Sequence, residues 1–151
     1  MDPLPGGCTC GRVRYELREE PIAFYACHCT DCQRESGSAF GLSMVVRSEG
    51  VALVAGEPKL FGVRQPDGLH RRSLRCPDCG TRLWSEPVKF PQIRTLRPGT
   101  LDDPRAYVPY GNMWTASAQP WAGFAPGPRF ERQPEDLLAM VRLWQERPRQ
   151  T

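Results

Sequence analysis

The chain has 151 residues, enough for one modest domain and little more. Sixteen prolines and fourteen glycines leave small room for long helices and favour short strands joined by turns. A net charge of +3 is too near balance to indicate a nucleic-acid or membrane surface.

In chain order, the N-terminal stretch MDPLPGGCTCGRVRYE lacks the basic and apolar regions of a signal peptide. No run of about 18 apolar residues occurs, so nothing is expected to span a membrane. The expected location is cytoplasmic, where thiols stay reduced and clustered cysteines hold metal more often than they form disulfides. VRYEL (13–17) alternates like a strand, and IAFYAC (22–27) reads as a second strand. TDCQRESG (30–37) has the length of one or two helical turns, with Gly37 as its stop. AFGLSMVVR (39–47) and VALVAG (51–56) read as strands divided by SEG. KLFGVR and HRRSLRC flank a QPDG turn as a hairpin, and TRLWSE (81–86) follows as a strand. QIRTLRPGTLDDP (92–104) reads as strand, turn and loop.

Residues 119–134 have a linker's proline and glycine content. Trp121, Phe124 and Phe130 would be poor choices for a free linker, so this segment is expected to lie over the body of the domain. PEDLLAMVRLWQER (134–147) is the one convincing helix, with Pro134 at its first position and Glu135 and Asp136 in its first turn. Leu137, Leu138, Met140, Val141 and Trp144 share a stripe. That stripe packs on its own domain or, less simply, against a second copy as a homodimer.

The seven cysteines fall into three groups. Cys76 and Cys79 in CPDCG form a zinc knuckle, because the turn lets two sulfurs converge and Gly80 tolerates the positive φ it needs. A knuckle supplies two ligands, and a closed site needs four. Cys8 and Cys10, spaced to share one face of an extended segment, can supply the other two. Cys27, Cys29 and Cys32 in CHCTDC can hold an ion from one short loop. The simplest partition is therefore four plus three. The closed set is structural, whereas a three-ligand zinc keeps a fourth position for water or substrate. Other readings of the triplet are reduced core thiols, a redox pair, or a closed site completed by His28. The last conflicts with the alternation of side chains along an extended segment. His70 stands alone and reads as a surface residue.

GGCTCGRVRYE, CHCTDCQRESGSAF, CPDCGTRLW, GTLDDP and MWTASAQPW together resemble, in order and spacing, the glutathione-dependent formaldehyde-activating enzyme family. That family shares its domain with centromere-protein-V-like proteins. The resemblance covers about residues 5–131, leaving 132–151 as a C-terminal helical extension. It implies a mainly β, zinc-stabilised, Mss4-like antiparallel fold. It implies two zinc ions: a structural one on Cys8, Cys10, Cys76 and Cys79, and a catalytic one on Cys27, Cys29 and Cys32. The implied reaction is reversible joining of glutathione and formaldehyde into S-hydroxymethylglutathione, a carbon–sulfur lyase reaction. Partners would then be a small thiol, glutathione or similar, and a small aldehyde. Many relatives carry a histidine where this chain has Asn112.

Thiolate ligation agrees with that chemistry. Three thiolates make zinc a weaker acid toward water and leave a soft thiolate as a good fourth ligand. The alternative is a zinc-stabilised protein-binding module without catalysis. A nucleic-acid reading would have to rest on Arg64, Arg71, Arg72 and Arg75, which read more simply as a solvated face. Arg34 and Trp84, each near a cysteine motif, are the nearest candidates for substrate contact.

Overall fold

The computed structural model describes residues 1–64, 70–136 and 138–148. Its elements run β1 (Leu4–Gly7), β2 (Arg14–Leu17), β3 (Ala23–Cys27), α1 (Thr30–Ser36), β4 (Gly41–Arg47), β5 (Val51–Ala55), β6 (Lys59–Arg64), β7 (His70–Arg75), β8 (Arg82–Pro87), β9 (Ile93–Leu96), β10 (Asn112–Met113) and α2 (Ala139–Glu146). The fold is mainly β with short helices, one of them C-terminal, as expected. The residues group into two units, Met1–Pro21 with Val45–Ala106, and Ile22–Met44 with Tyr107–Thr151.

In the first unit β1 pairs antiparallel with β2, and β2 with β5. RYEL alternates half-buried and buried, so Tyr15 and Leu17 enter the core while Arg14 and Glu16 do not. Strands β6, β7, β8 and β9 follow as an antiparallel meander. Trp84 on β8 is 1% exposed and meets Tyr15 edge-on, ring centroids 5.9 Å apart. The Tyr15 hydroxyl is satisfied by Thr100 Oγ1 at 2.8 Å. Gly6 lies opposite Tyr15. A Cβ there would sit 2.5 Å from the tyrosine ring and 2.7 Å from the Thr100 carbonyl, so only glycine fits.

In the second unit β3 is almost wholly buried. It pairs parallel with β10, Asn112 opposite Ala26 and Met113 opposite Cys27. Helix α2 packs on β3 through Trp144, which is 3% exposed and meets Phe24 and Tyr107 at 5.9 and 6.2 Å. The proline-rich segment does lie along this unit: the backbone N–H groups of Gly111 and Asn112 donate to the carbonyls of Pro126 and Pro128. Phe124 and Phe130 are half-buried, but Trp121 is 77% exposed.

Three findings depart from the sequence reading or go beyond it. The helix expected over 134–147 begins only at Ala139. The Asp136 side chain accepts from the Leu138 N–H at 2.8 Å, and its carbonyl accepts from the Ala139 N–H, making a turn where the first helical turn was expected. Leu138 consequently leaves the apolar stripe and is 60% exposed. Second, β1 and β10 are strands that periodicity does not announce, one reading LPGG and the other only two residues long. Third, Cys8 and Cys10 lie on a turn and not on an extended segment. The QPDG turn, Leu137 and the side chain of His70 lie outside the described residues.

Candidate metal centres

CPDCG folds as a knuckle. The Gly80 N–H donates to the Cys76 carbonyl at 3.0 Å, and the Cys76 N–H to the Thr81 carbonyl at 2.9 Å. Gly80 takes φ +73°, the left-handed conformation that its place in the motif requires. The Cys8 segment closes a matching turn, Gly11 N–H to Cys8 carbonyl and Cys8 N–H to Val13 carbonyl, both 3.0 Å. That turn converges the two sulfurs where a straight segment was expected to. Sγ of Cys8 and Cys10 are 3.5 Å apart, and Sγ of Cys10 and Cys76 are 3.7 Å apart. All four sulfurs lie within 4.8 Å of one another. A tetrahedral zinc with sulfur at about 2.3 Å has sulfur–sulfur edges of roughly 3.8 Å, so the set fits that ion. Thr9 and Thr81 hydroxyls join the two turns at 3.0 Å, and Arg12 pairs with Asp78 alongside.

The thiols of this group cannot ionise independently. Hydrogen bonds from the Thr81 hydroxyl and backbone pull Cys79 down to about 5. The Arg12 N–H favours the Cys10 thiolate, but the neighbouring sulfurs, Cys8 first, outweigh it together with burial, and Cys10 rises to about 12. Burial raises Cys8, but the Val13 N–H and then Cys10 and Cys76 outweigh it and lower this thiol as well, so the group divides into sulfurs that ionise readily and a neighbour, Cys10, that is held protonated.

The triplet is built where β3 meets α1. Cys27 ends the strand, and Cys29 is the extended residue that caps the helix, its sulfur accepting from the Cys32 N–H at 3.3 Å. Gly37 closes the helix in the left-handed region, as expected. The three sulfurs lie within 4.8 Å of one another. Cys27 and Cys32 are buried and Cys29 is half-exposed. The Cys27 thiol is pushed up by Cys29, then Cys32, then burial, the effect of crowded sulfurs.

Neither ring nitrogen of His28 belongs to the group of converging sulfurs. The residue is fully buried between Phe40 and Phe124, with ring centroids 5.3 and 5.1 Å away. Asn112, equally buried, accepts from the Ala125 N–H through Oδ1 and donates to the Ala125 carbonyl through Nδ2. That pair of hydrogen bonds orients the amide, so His28 Nε2 donates to Oδ1 at 3.3 Å. His28 is thus a packing residue, as the alternation argument expects. Of the two candidate substrate contacts, Trp84 is a core residue, and Arg34 is an 82% exposed side chain 4.0 Å from Asp31. Residues around the triplet that sequence reasoning missed are Gln33 and Ser117, both bonded to the His28 carbonyl.

Among the described residues, no helix is long and apolar enough to cross a membrane. A crystal structure of a Rhodobacter sphaeroides protein, 21% identical, superposes with a TM-score of 0.53 over 70% of this chain and 98% of that one, a likeness of fold. A Sordaria macrospora protein is 28% identical over 92 residues, 61% of this chain and 38% of its own length. A Penicillium rubens protein is 32% identical over 89 residues, 59% of this chain and 46% of its own. Both carry the provisional name of glutathione-dependent formaldehyde-activating enzyme, and this chain spans less than half the length of either match. The family model described as glutathione-dependent formaldehyde-activating enzyme matches residues 3–117, which carry all seven cysteines of both clusters. The chain belongs to the glutathione-dependent formaldehyde-activating enzyme family.

Proposed function

We propose that this chain is a zinc-dependent carbon–sulfur lyase acting on a thiol–aldehyde adduct such as S-hydroxymethylglutathione. The observation that carries the reading is the difference between the two clusters. Four sulfurs make a complete ligand set, whereas the triplet has three sulfurs and, among the described residues, no fourth metal-ligating group within the same radius. On this reading Cys8, Cys10, Cys76 and Cys79 hold a structural zinc, and Cys27, Cys29 and Cys32 hold a catalytic one. Residues 5–131 are then the family's domain and 132–151 an added helical segment.

A zinc ion held by Cys27, Cys29 and Cys32 would supply a remaining position suited to a soft sulfur and would favour the thiolate form of a substrate thiol. The residues of the chain supply placement. Cys27 and Cys32 are buried, so substrate would approach beside half-exposed Cys29. His28 is occupied by Asn112 and by two aromatic rings, so it stays out of the ligand set. In the synthetic direction the thiol sulfur adds to the carbonyl carbon. The C–S bond forms, the C=O bond becomes C–OH, and the proton that left the thiol ends on that oxygen. The lyase direction breaks the same C–S bond and returns the proton to sulfur. Neither direction needs an oxidant or reductant.

Cobalt in place of zinc tests this, because each thiolate adds sulfur-to-metal charge-transfer absorption. Adding glutathione should strengthen that band in the wild type and leave it unchanged in Cys29→Ser, with formaldehyde consumption following the same pattern. No spectral change with any of several small thiols, and no acceleration over uncatalysed adduct formation, would instead favour a protein-binding module.

A further inference from the structure

We propose that Gln33 is a positioning residue for the three-cysteine centre, holding the Cys27–Cys29 turn in the form that gathers its sulfurs. The inference rests on the metal-centre reading above. Two of the three sulfurs flank His28, so the backbone at His28 decides where both point. Its N–H donates to the Met113 carbonyl at 2.9 Å. Its carbonyl accepts twice, from Gln33 Nε2 at 2.8 Å and from Ser117 Oγ at 2.9 Å.

Gln33 is saturated by these contacts. Its amide nitrogen also donates to the Ser117 carbonyl at 2.9 Å, and its Oε1 accepts from Gln119 Nε2 at 2.8 Å. A glutamine amide has two N–H donors, and both are spent on backbone carbonyls. Ser117 is the weaker of the two holds on His28, because its single hydroxyl hydrogen is shared with the Trp114 carbonyl at 3.1 Å. Gln33 also follows Cys32 directly, and its own N–H donates to the Cys29 carbonyl at 3.0 Å. One residue therefore touches the turn from its side chain and from its backbone. A carbonyl pinned by two donors holds the turn, and with it the two cysteines that flank it, in one arrangement.

Donation, not shape, is what the role requires, so three variants separate the possibilities. Gln33→Glu keeps the shape and puts an acceptor beside two carbonyls. Gln33→Met keeps length and removes polarity. Gln33→Lys restores donors. Full-length protein is titrated with cobalt against a competing chelator, and the two equivalents are read by their charge-transfer bands. The glutamate and methionine variants should bind cobalt at the three-cysteine centre about 10- to 100-fold more weakly, with the four-cysteine site unchanged and lysine close to wild type. Ser117→Ala should show a smaller loss, and it serves as the test if a Gln33 variant fails to fold by circular dichroism. Wild-type affinity in the glutamate and methionine variants, or an equal loss in lysine, overturns the role of Gln33 alone. A wild type that takes up a single cobalt overturns the metal-centre reading, and this role with it.

Discussion

Cys76 and Cys29 have the same side chain and different weight. Cys76 is 1% exposed and belongs to a group that joins the Cys8 turn to the knuckle. Metal binding there would be part of the folding free energy, so Cys76→Ser should yield insoluble or molten protein. Cys29 is half-exposed in a local cluster, and Cys29→Ser should stay folded with one zinc missing. Thermal melts and elemental analysis read both outcomes, and equal damage from the two variants would make both clusters structural. Two glycines offer a second contrast. At Gly80 an added Cβ meets nothing within 4 Å, so Gly80→Ala should cost only the left-handed backbone penalty, about 1–2 kcal/mol. At Gly6 the cost is collision with a buried ring and a carbonyl, and Gly6→Ala should cost more than Gly80→Ala in urea titrations at fixed zinc. The cysteines were legible because ligand spacing is local. Gln33, Ser117 and Asn112 were not, since their roles depend on partners met only after folding, such as the bond between Asn112 and His28, 84 positions apart.

Helices and strands divide in the same way. α1 was legible in its span and at its stop, Gly37, because that signal is written in adjacent residues, whereas Cys29 as its N-terminal cap was not read. β2 and β3 were legible from their apolar pattern. β10 was not, because two residues carry no period and its pairing with β3 is made in space. α2 was legible in kind and misplaced at its start, since Asp136 can either open a helix or bond its own neighbour's N–H, and it does the second. Two buried side chains hold α2, Met140 and Trp144, the second against Phe24 and Tyr107 with the Arg147 guanidinium 3.5 Å from its ring centroid. Trp144→Ala should destabilise by about 3–5 kcal/mol, and hydrogen exchange should show α2 losing protection. A loss below 1 kcal/mol would mean the helix is dispensable.

At the scale of the whole chain, and apart from the clustered thiols, pH acts through Tyr15. Burial raises its hydroxyl from the usual 10.0 to about 12, ahead of the lowering by Thr100. Between those values the unfolded chain releases a proton that the folded chain keeps. Stability therefore falls as pH rises through that window, by up to about 2–3 kcal/mol. Urea midpoints at pH 9 and 11.5 should show a drop in wild type that is smaller by this part in Tyr15→Phe. The same scale decides metal content: protein purified without chelator should carry about two zinc ions, and one zinc with the triplet freely alkylated would remove the second centre. The separation of the two clusters along the chain also sets an order of events. The triplet spans Cys27 to Cys32, whereas the other group cannot close until Cys79 meets Cys8. Closing the longer loop costs about 2 kcal/mol more in chain entropy. During synthesis or refolding the triplet should thus capture its ion first, while the first unit still lacks its clasp. On the proposed division of roles, a chain folding in limiting zinc would acquire its chemistry before its full stability.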